Sequence, residues 1–168
     1  MKSKINQLIL VVILCLSIVV VLSGMNKTKP TYEQLRNQVF NIINNKDVSY
    51  NQIYDNYVYY RPDGFQVKKL PSQVELINND ADILIHFGNN KTVQDKFYTN
   101  INQDKKNKYE YIDEEDHYFI IWQYDNTHSL VLIGQNDRYV EGLVDSDKED
   151  EYLIILSQIY ASINEMEK

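Results

Sequence analysis

Residues 8–22 hold a single polar side chain, Ser17. Taken over residues 5–25 the apolar run is 21 residues long, enough at about 1.5 Å per residue to cross about 30 Å of hydrocarbon. Such a run belongs in a bilayer or an export leader, so the chain is expected to have two parts. These are an apolar segment over residues 1–26 and a folded polar domain over residues 27–168. The first thirty residues contain Lys2, Lys4, Lys27 and Lys29 and no acid. Beyond residue 26 there are 15 basic and 24 acidic side chains, a net charge of −9 against −7 for the whole chain. That acidity argues against a general nucleic-acid binder, which must neutralise phosphates with Lys and Arg. A mean hydropathy of −0.46 excludes several membrane-spanning helices. A hydrophobic content of 43% excludes a wholly disordered chain.

A cleavable signal peptide needs a basic start, an apolar core of about 7–15 residues and small residues at the cut. Lys2 and Lys4 provide the start, and Val21-Leu22-Ser23 offers a cleavage site. The length of the run and the lack of an Ala-x-Ala pattern favour an uncleaved single transmembrane helix, with a cleaved and secreted form as the alternative. Cys15 follows Leu14 in mid-run, not at its end where a lipidated cysteine would stand. Positive charge is nearly balanced across the segment, and the short amino tail places the domain outside the cytoplasm. Cys15 is the sole cysteine, so the domain has no disulfide and is not a small stapled scaffold. Eighteen Asn and fourteen Tyr, with abundant Lys and Ile, match an AT-rich bacterial genome.

Thr31-Tyr-Glu-Gln34 reads as a capping box after Pro30. Tyr32, Leu35, Val39, Ile42 and Ile43 follow at helical spacing, predicting a helix over residues 31–46. Strands are predicted over 57–60, 65–67, 74–77 and 81–87, with turns at Arg61-Pro-Asp-Gly64 and Asn78-Asn-Asp80. Val93, Phe97 and Ile101 predict a short helix over 91–102. Further strands are expected over 109–113, 118–124, 130–133 and 138–144. Ser146-Asp-Lys-Glu149 reads as a second capping box, opening a final helix over 147–166 with Tyr152, Ile155, Leu156, Ile159, Ile163 and Met166 as its apolar stripe. The fold class expected is α+β, a mainly antiparallel sheet packed by helices and preceded by the transmembrane helix. Residues 118–124 and 130–133 are apolar on both alternate faces. Such strands need cover on both sides, from a helical layer on each or from a partner on one.

Tyr59-Tyr-Arg-Pro62-Asp-Gly-Phe65, a mid-chain helix between two groups of strands, and a closing helix ending Ser157…Ser162 together resemble PsbP-like (Mog1-type) αβα-sandwich domains of small exported bacterial proteins. The resemblance covers about residues 50–166. It implies a non-catalytic accessory or binding module, and it assigns no site residue.

His86, His117 and His128 show none of the spacings of a metal site, and the domain has no cysteine, so no metal and no cofactor are expected. Asp113-Glu-Glu-Asp116 lacks the spaced acids and Gly of a calcium loop and reads as a solvated turn. There is no G-x-S-x-G, S-x-x-K or P-loop. The tyrosines stand out. Tyr57, Tyr59, Tyr60, Tyr118, Trp122 and Tyr124 are the candidate binding residues, as rings that bury area while hydrogen-bonding at a rim. The alternative reading is Tyr as a strand former taking the place of Phe at half-buried positions. The function expected is a membrane-anchored extracytoplasmic binding or accessory module of the bacterial envelope, partnered by an envelope protein or wall polymer. The alternative is an exported hydrolase of cell-wall polymer, with converging acids or a His–acid pair in a cleft.

Overall fold

Thr31 opens the first helix, α1 (Tyr32–Asn44), through the capping box its sequence predicts. The Gln34 backbone N–H donates to Thr31 Oγ1 at 3.3 Å, and the Thr31 N–H donates to Gln34 Oε1 at 2.9 Å. These bonds satisfy two of the amide donors that a helix start leaves without partners. In this computed structural model the described residues are 29–45, 48–88, 107–112, 117–135 and 138–166. All the elements below belong to the unit Thr31–Lys168. The apolar run, the helix expected over 91–102 and the acidic turn 113–116 lie outside the described residues.

Seven strands form one antiparallel sheet. They are β3 (Gln66–Leu70), β4 (Gln73–Ile77), β5 (Ala81–His86), β6 (Asn107–Ile112), β7 (His117–Gln123), β8 (His128–Gln135) and β9 (Arg138–Asp145). Their spatial order is β3-β4-β5-β9-β8-β7-β6, two meanders joined where β5 pairs with β9. A small sheet of β1 (Gln52–Tyr54), β2 (Tyr57–Tyr59) and β10 (Asn164–Glu165) is also antiparallel. The second helix, α2 (Glu149–Ser162), follows β9 directly. The fold is α+β and mostly sheet.

Period-2 alternation assigns the faces of the large sheet. Val74, Leu76, Ile83, Ile85, Val131, Ile133 and Val140 point to one face, where they share a core with Leu35 and Val39 of α1 and Leu153, Leu156 and Ile159 of α2. On the opposite face Tyr118, Ile120, Leu132 and Tyr139 form a second core, with Trp122 packed against it and no residue of either helix in it. The two-sided apolar pattern of 118–124 is therefore realised as burial on both faces over residues 118–121.

Polar contacts fix α2 at both ends. At its start Ser129 Oγ, fully buried on β8, donates to Glu149 Oε2 at 2.8 Å. Lys148 Nζ lies 2.8 Å from Asp80 Oδ2, and Asn78 Nδ2 donates to the Tyr152 hydroxyl at 3.2 Å. At its end Ser162 Oγ accepts from the Tyr60 N–H at 2.7 Å, and β10 then pairs with β2.

Several boundaries differ from expectation. Ser146 is not a cap: Lys148 holds that position without a side-chain bond, and Glu149 is drawn into the interior by Ser129. The final helix stops at Ser162 rather than at residue 166. Ile163 turns extended so that Asn164 and Glu165 can pair with β2, and Met166 ends exposed. β1 and β10 had no sequence signal, because strands of three and two residues carry too little alternation to read. The β1–β2 turn places Asp55 at φ 51, the left-handed conformation a two-residue hairpin loop demands.

Gly134 on β8 sits between Tyr118 and Tyr139. A Cβ there would stand 2.5 Å from Tyr139 Cβ and 2.6 Å from the Arg138 carbonyl oxygen. Gly134→Ala should therefore cost about 1–3 kcal/mol through overpacking, read as a lower denaturation midpoint with an unchanged slope. Tyr59 is fully buried with no partner for its hydroxyl. Tyr59→Phe should raise stability by about 1 kcal/mol in the same assay, since it removes an unsatisfied buried polar group and keeps the ring.

Candidate functional site

The six aromatic candidates do not form one surface. Tyr59 is wholly buried in the helical-face core, and its ring meets Phe87 edge-on at 5.9 Å. Burial raises the pKa of this phenol, with Arg61 opposing. Tyr57 is half-buried and stacks on the same Phe87 at 5.0 Å. Tyr118 is buried in the opposite core. Trp122 is half-buried beside it and meets Tyr124 edge-on at 6.2 Å, and only Tyr124 is truly exposed, at 57%. Tyr60 lines a cleft of about 440 Å³ with Asn41, Asn45, Ser49 and Gln158. The sheet thus separates the 57–60 group from the 118–124 group, and two of the six rings serve as core.

A second cleft, of about 480 Å³, lies where both helices end. α1 brings Asn44, α2 brings Tyr160, and the chain entering β10 brings Asn164. The sheet contributes His117 at the start of β7, Gln135 at the end of β8 and Arg138 at the start of β9. Gln135 and Arg138 face each other in the ladder, and His117 pairs with Gln135. Three strand ends thus deliver a guanidinium, an imidazole and an amide to one spot. The Arg138 guanidinium lies 5.8 Å from the centre of the Tyr57 ring, a cation–π contact that orients its donor fork. His117 meets Tyr160 edge-on at 6.2 Å. Of the predicted aromatic residues, Tyr57 reaches this cleft, through Arg138.

The sequence signalled neither Arg138 nor the three amides as site residues. They come from elements up to 120 residues apart, Asn44 to Asn164, and each is an unremarkable polar residue at the end of its element.

The other histidines lie elsewhere. His86 turns away from Ile85 and Phe87, as alternation predicts, and its Nε2 lies 3.3 Å from Glu141 Oε1. Its ring stacks on Tyr139 at 4.1 Å. Burial, reinforced by Glu141, pushes the Tyr139 phenol well above its ordinary range, so it stays neutral. His128 opens β8 beside the β7–β8 turn, and its Nδ1 lies 3.0 Å from both Asp125 carboxylate oxygens. Among the described residues no group of three or more His, Cys, Asp or Glu is arranged to hold a metal ion. No family model, curated protein or solved structure matches this chain.

Asp125 Oδ1 accepts the backbone N–H of Thr127 and of His128, each at 2.7 Å. With the His128 side chain these bonds hold the carboxyl far below its ordinary range. A carboxyl with a depressed folded-state pKa contributes stability that is complete above the unfolded value and lost as pH falls through the folded one. The turn should therefore stay closed at neutral and mildly acidic pH and open only in strong acid. Amide exchange at Thr127 and His128 checks this. Asp125→Ala should speed that exchange already at pH 7.

Proposed function

We propose that this chain is a single-pass, membrane-tethered binding or accessory module of a bacterial envelope, with its domain outside the cytoplasm and an envelope protein or wall polymer as partner. The observation that carries the reading is the polar cleft at the helix ends. Arg138, His117, Gln135, Asn44 and Asn164 offer donors and acceptors converging from α1 and four strands, the lining of a site that holds a polar ligand. A guanidinium backed by an aromatic ring suits a carboxylate, a group that wall peptides and protein side chains both provide. The tether rests on residues 5–25, whose length and apolar character fit a bilayer crossing. Among the described residues no helix is long and apolar enough to cross a membrane.

A hydrolase would need an acid or a His–acid pair inside a cleft. The described pairs His86–Glu141, His128–Asp125 and His128–Asp145 contribute to neither cleft lining.

Protease treatment of intact protoplasts carrying a carboxy-terminal tag should remove the tag while cytoplasmic markers survive. A protected tag would overturn the topology, and release of the intact domain to the medium would favour the cleaved form. Crosslinking of the same cells should recover a specific envelope partner. Arg138→Gln should lower that recovery by about tenfold, the loss of one charge-assisted hydrogen-bond pair. Equal recovery with Arg138→Gln would remove the cleft from the proposal.

A further inference from the structure

Both helices end at the second cleft. Ile43 and Asn44 close α1, Tyr160 and Ala161 belong to the last turn of α2, and all four line it. Helices of 13 and 14 residues, as these are, gather about half an elementary negative charge at the carboxy end, on carbonyls that lack helical partners. A basic side chain in the last turn offsets that charge. Neither helix has one.

Some of these carbonyls are satisfied within the chain. The Asn45 N–H donates to the Asn41 carbonyl at 3.0 Å and the Ile163 N–H to that of Tyr160 at 3.1 Å. Ser162 Oγ donates to the Ile159 carbonyl at 2.6 Å, and Asn164 Nδ2 to the Ser162 carbonyl at 3.2 Å. All four donors are neutral, so the bonds leave the charge of the helix ends in place. Across the cleft stands the Arg138 guanidinium, over the Tyr57 ring. Among the described residues no carboxylate side chain lines the cleft and none pairs with Arg138. The cleft is thus dipolar: about one negative charge in total at two helix ends, against one full positive charge on Arg138.

That pattern selects among ligands. A phosphate carries about −1.5 to −2 at neutral pH and is favoured at helix N-termini, by N–H groups and a positive dipole end. Here it would gain one guanidinium and face two ends of its own sign. A lone carboxylate meets the same opposition on a smaller scale. A molecule that bears both a carboxylate and an ammonium satisfies both sides at once, and a cleft of about 480 Å³ has room for it. We infer, resting on the reading of this cleft as a ligand site, that it binds a free amino acid, with the carboxylate on Arg138 and the ammonium at the converging ends of α1 and α2. One guanidinium serves one carboxylate at a time, so the amino acid competes with the partner carboxylate proposed above.

Calorimetric titration of the full chain in detergent micelles with each common α-amino acid tests this. At least one should bind about tenfold or more tighter than its N-acetyl derivative, which lacks the ammonium, and than its amide, which lacks the carboxylate. Inorganic phosphate should not displace it. Arg138→Gln should weaken its binding about tenfold or more. Asn44→Lys, at an exposed position, sets an ammonium of the chain's own at the end of α1. It should hold or raise the melting temperature while weakening amino-acid binding about tenfold, a combination that loss of folding does not produce. Binding by none of the amino acids would overturn the inference, as would an Asn44→Lys variant that keeps the full preference for the zwitterion. N-acetyl derivatives that bind as tightly as free amino acids would overturn it and leave a carboxylate site standing. Added before crosslinking, the amino acid should also lower recovery of the envelope partner. Recovery that depends on Arg138 and not on the amino acid would sink this inference alone.

Discussion

The helix α2 is the one element that touches every other layer described. Its buried residues Tyr152, Leu153, Leu156, Ile159 and Tyr160 span more than one face. It needs that breadth because it packs on β8 and β9 below, on α1 at its side and against β2 at its end. Leu156 comes down over Gly142, where a Cβ would already stand in contact with both Leu156 methyl groups and with Ile83. Large residues at the helix and a missing side chain on the strand together set the spacing of the layer. Fixing the two ends of α2 then fixes the two regions around it. Its start is tied to the β4–β5 turn through Asn78 and Asp80, and its finish to the small sheet through Ser162 and Tyr60.

The elements with strong periodicity could be read from sequence because one physical signal dominates each. The α1 cap is a two-sided hydrogen bond encoded by Thr31 and Gln34 alone, and alternation in 81–87 places Ile83, Ile85 and Phe87 inside and His86 on the opposite face. The failures have equally local causes. Ser146-Asp-Lys-Glu149 satisfies the capping pattern, yet Ser129, 20 residues away in sequence, competes for the Glu149 carboxylate and wins it by bringing it into the core. A pattern cannot contain a partner on another strand. The same limit applies to the cleft: Arg138 and His117 acquire meaning from the strand order, and strand order is set by the whole sheet.

The tyrosines divide between the two readings that sequence left open. Tyr59 and Tyr118 are core residues whose rings do the work of Phe, and the unpartnered Tyr59 hydroxyl is a small cost accepted with the ring. Tyr57 is different. Its ring stacks on Phe87 on one side and lies under the Arg138 guanidinium on another. It therefore couples the packing of the small sheet to the position of the principal cation in the cleft.

The order of strands also divides the sheet in time. β3-β4-β5 and β6-β7-β8-β9 are chains of neighbouring hairpins, each able to zip from its own turns with short loop closures. The pairing of β5 with β9 is another matter, since Ala81 meets Val144 across 63 residues and His86 meets Tyr139 across 53. This seam is the entropically expensive step, and contacts of such sequence separation dominate the folding rates of antiparallel domains. Each half can form early, but neither owns a complete core until the seam closes and α2 settles across it. The two halves meet along a single strand–strand boundary, and Val140, Ile85 and Ile83 line it.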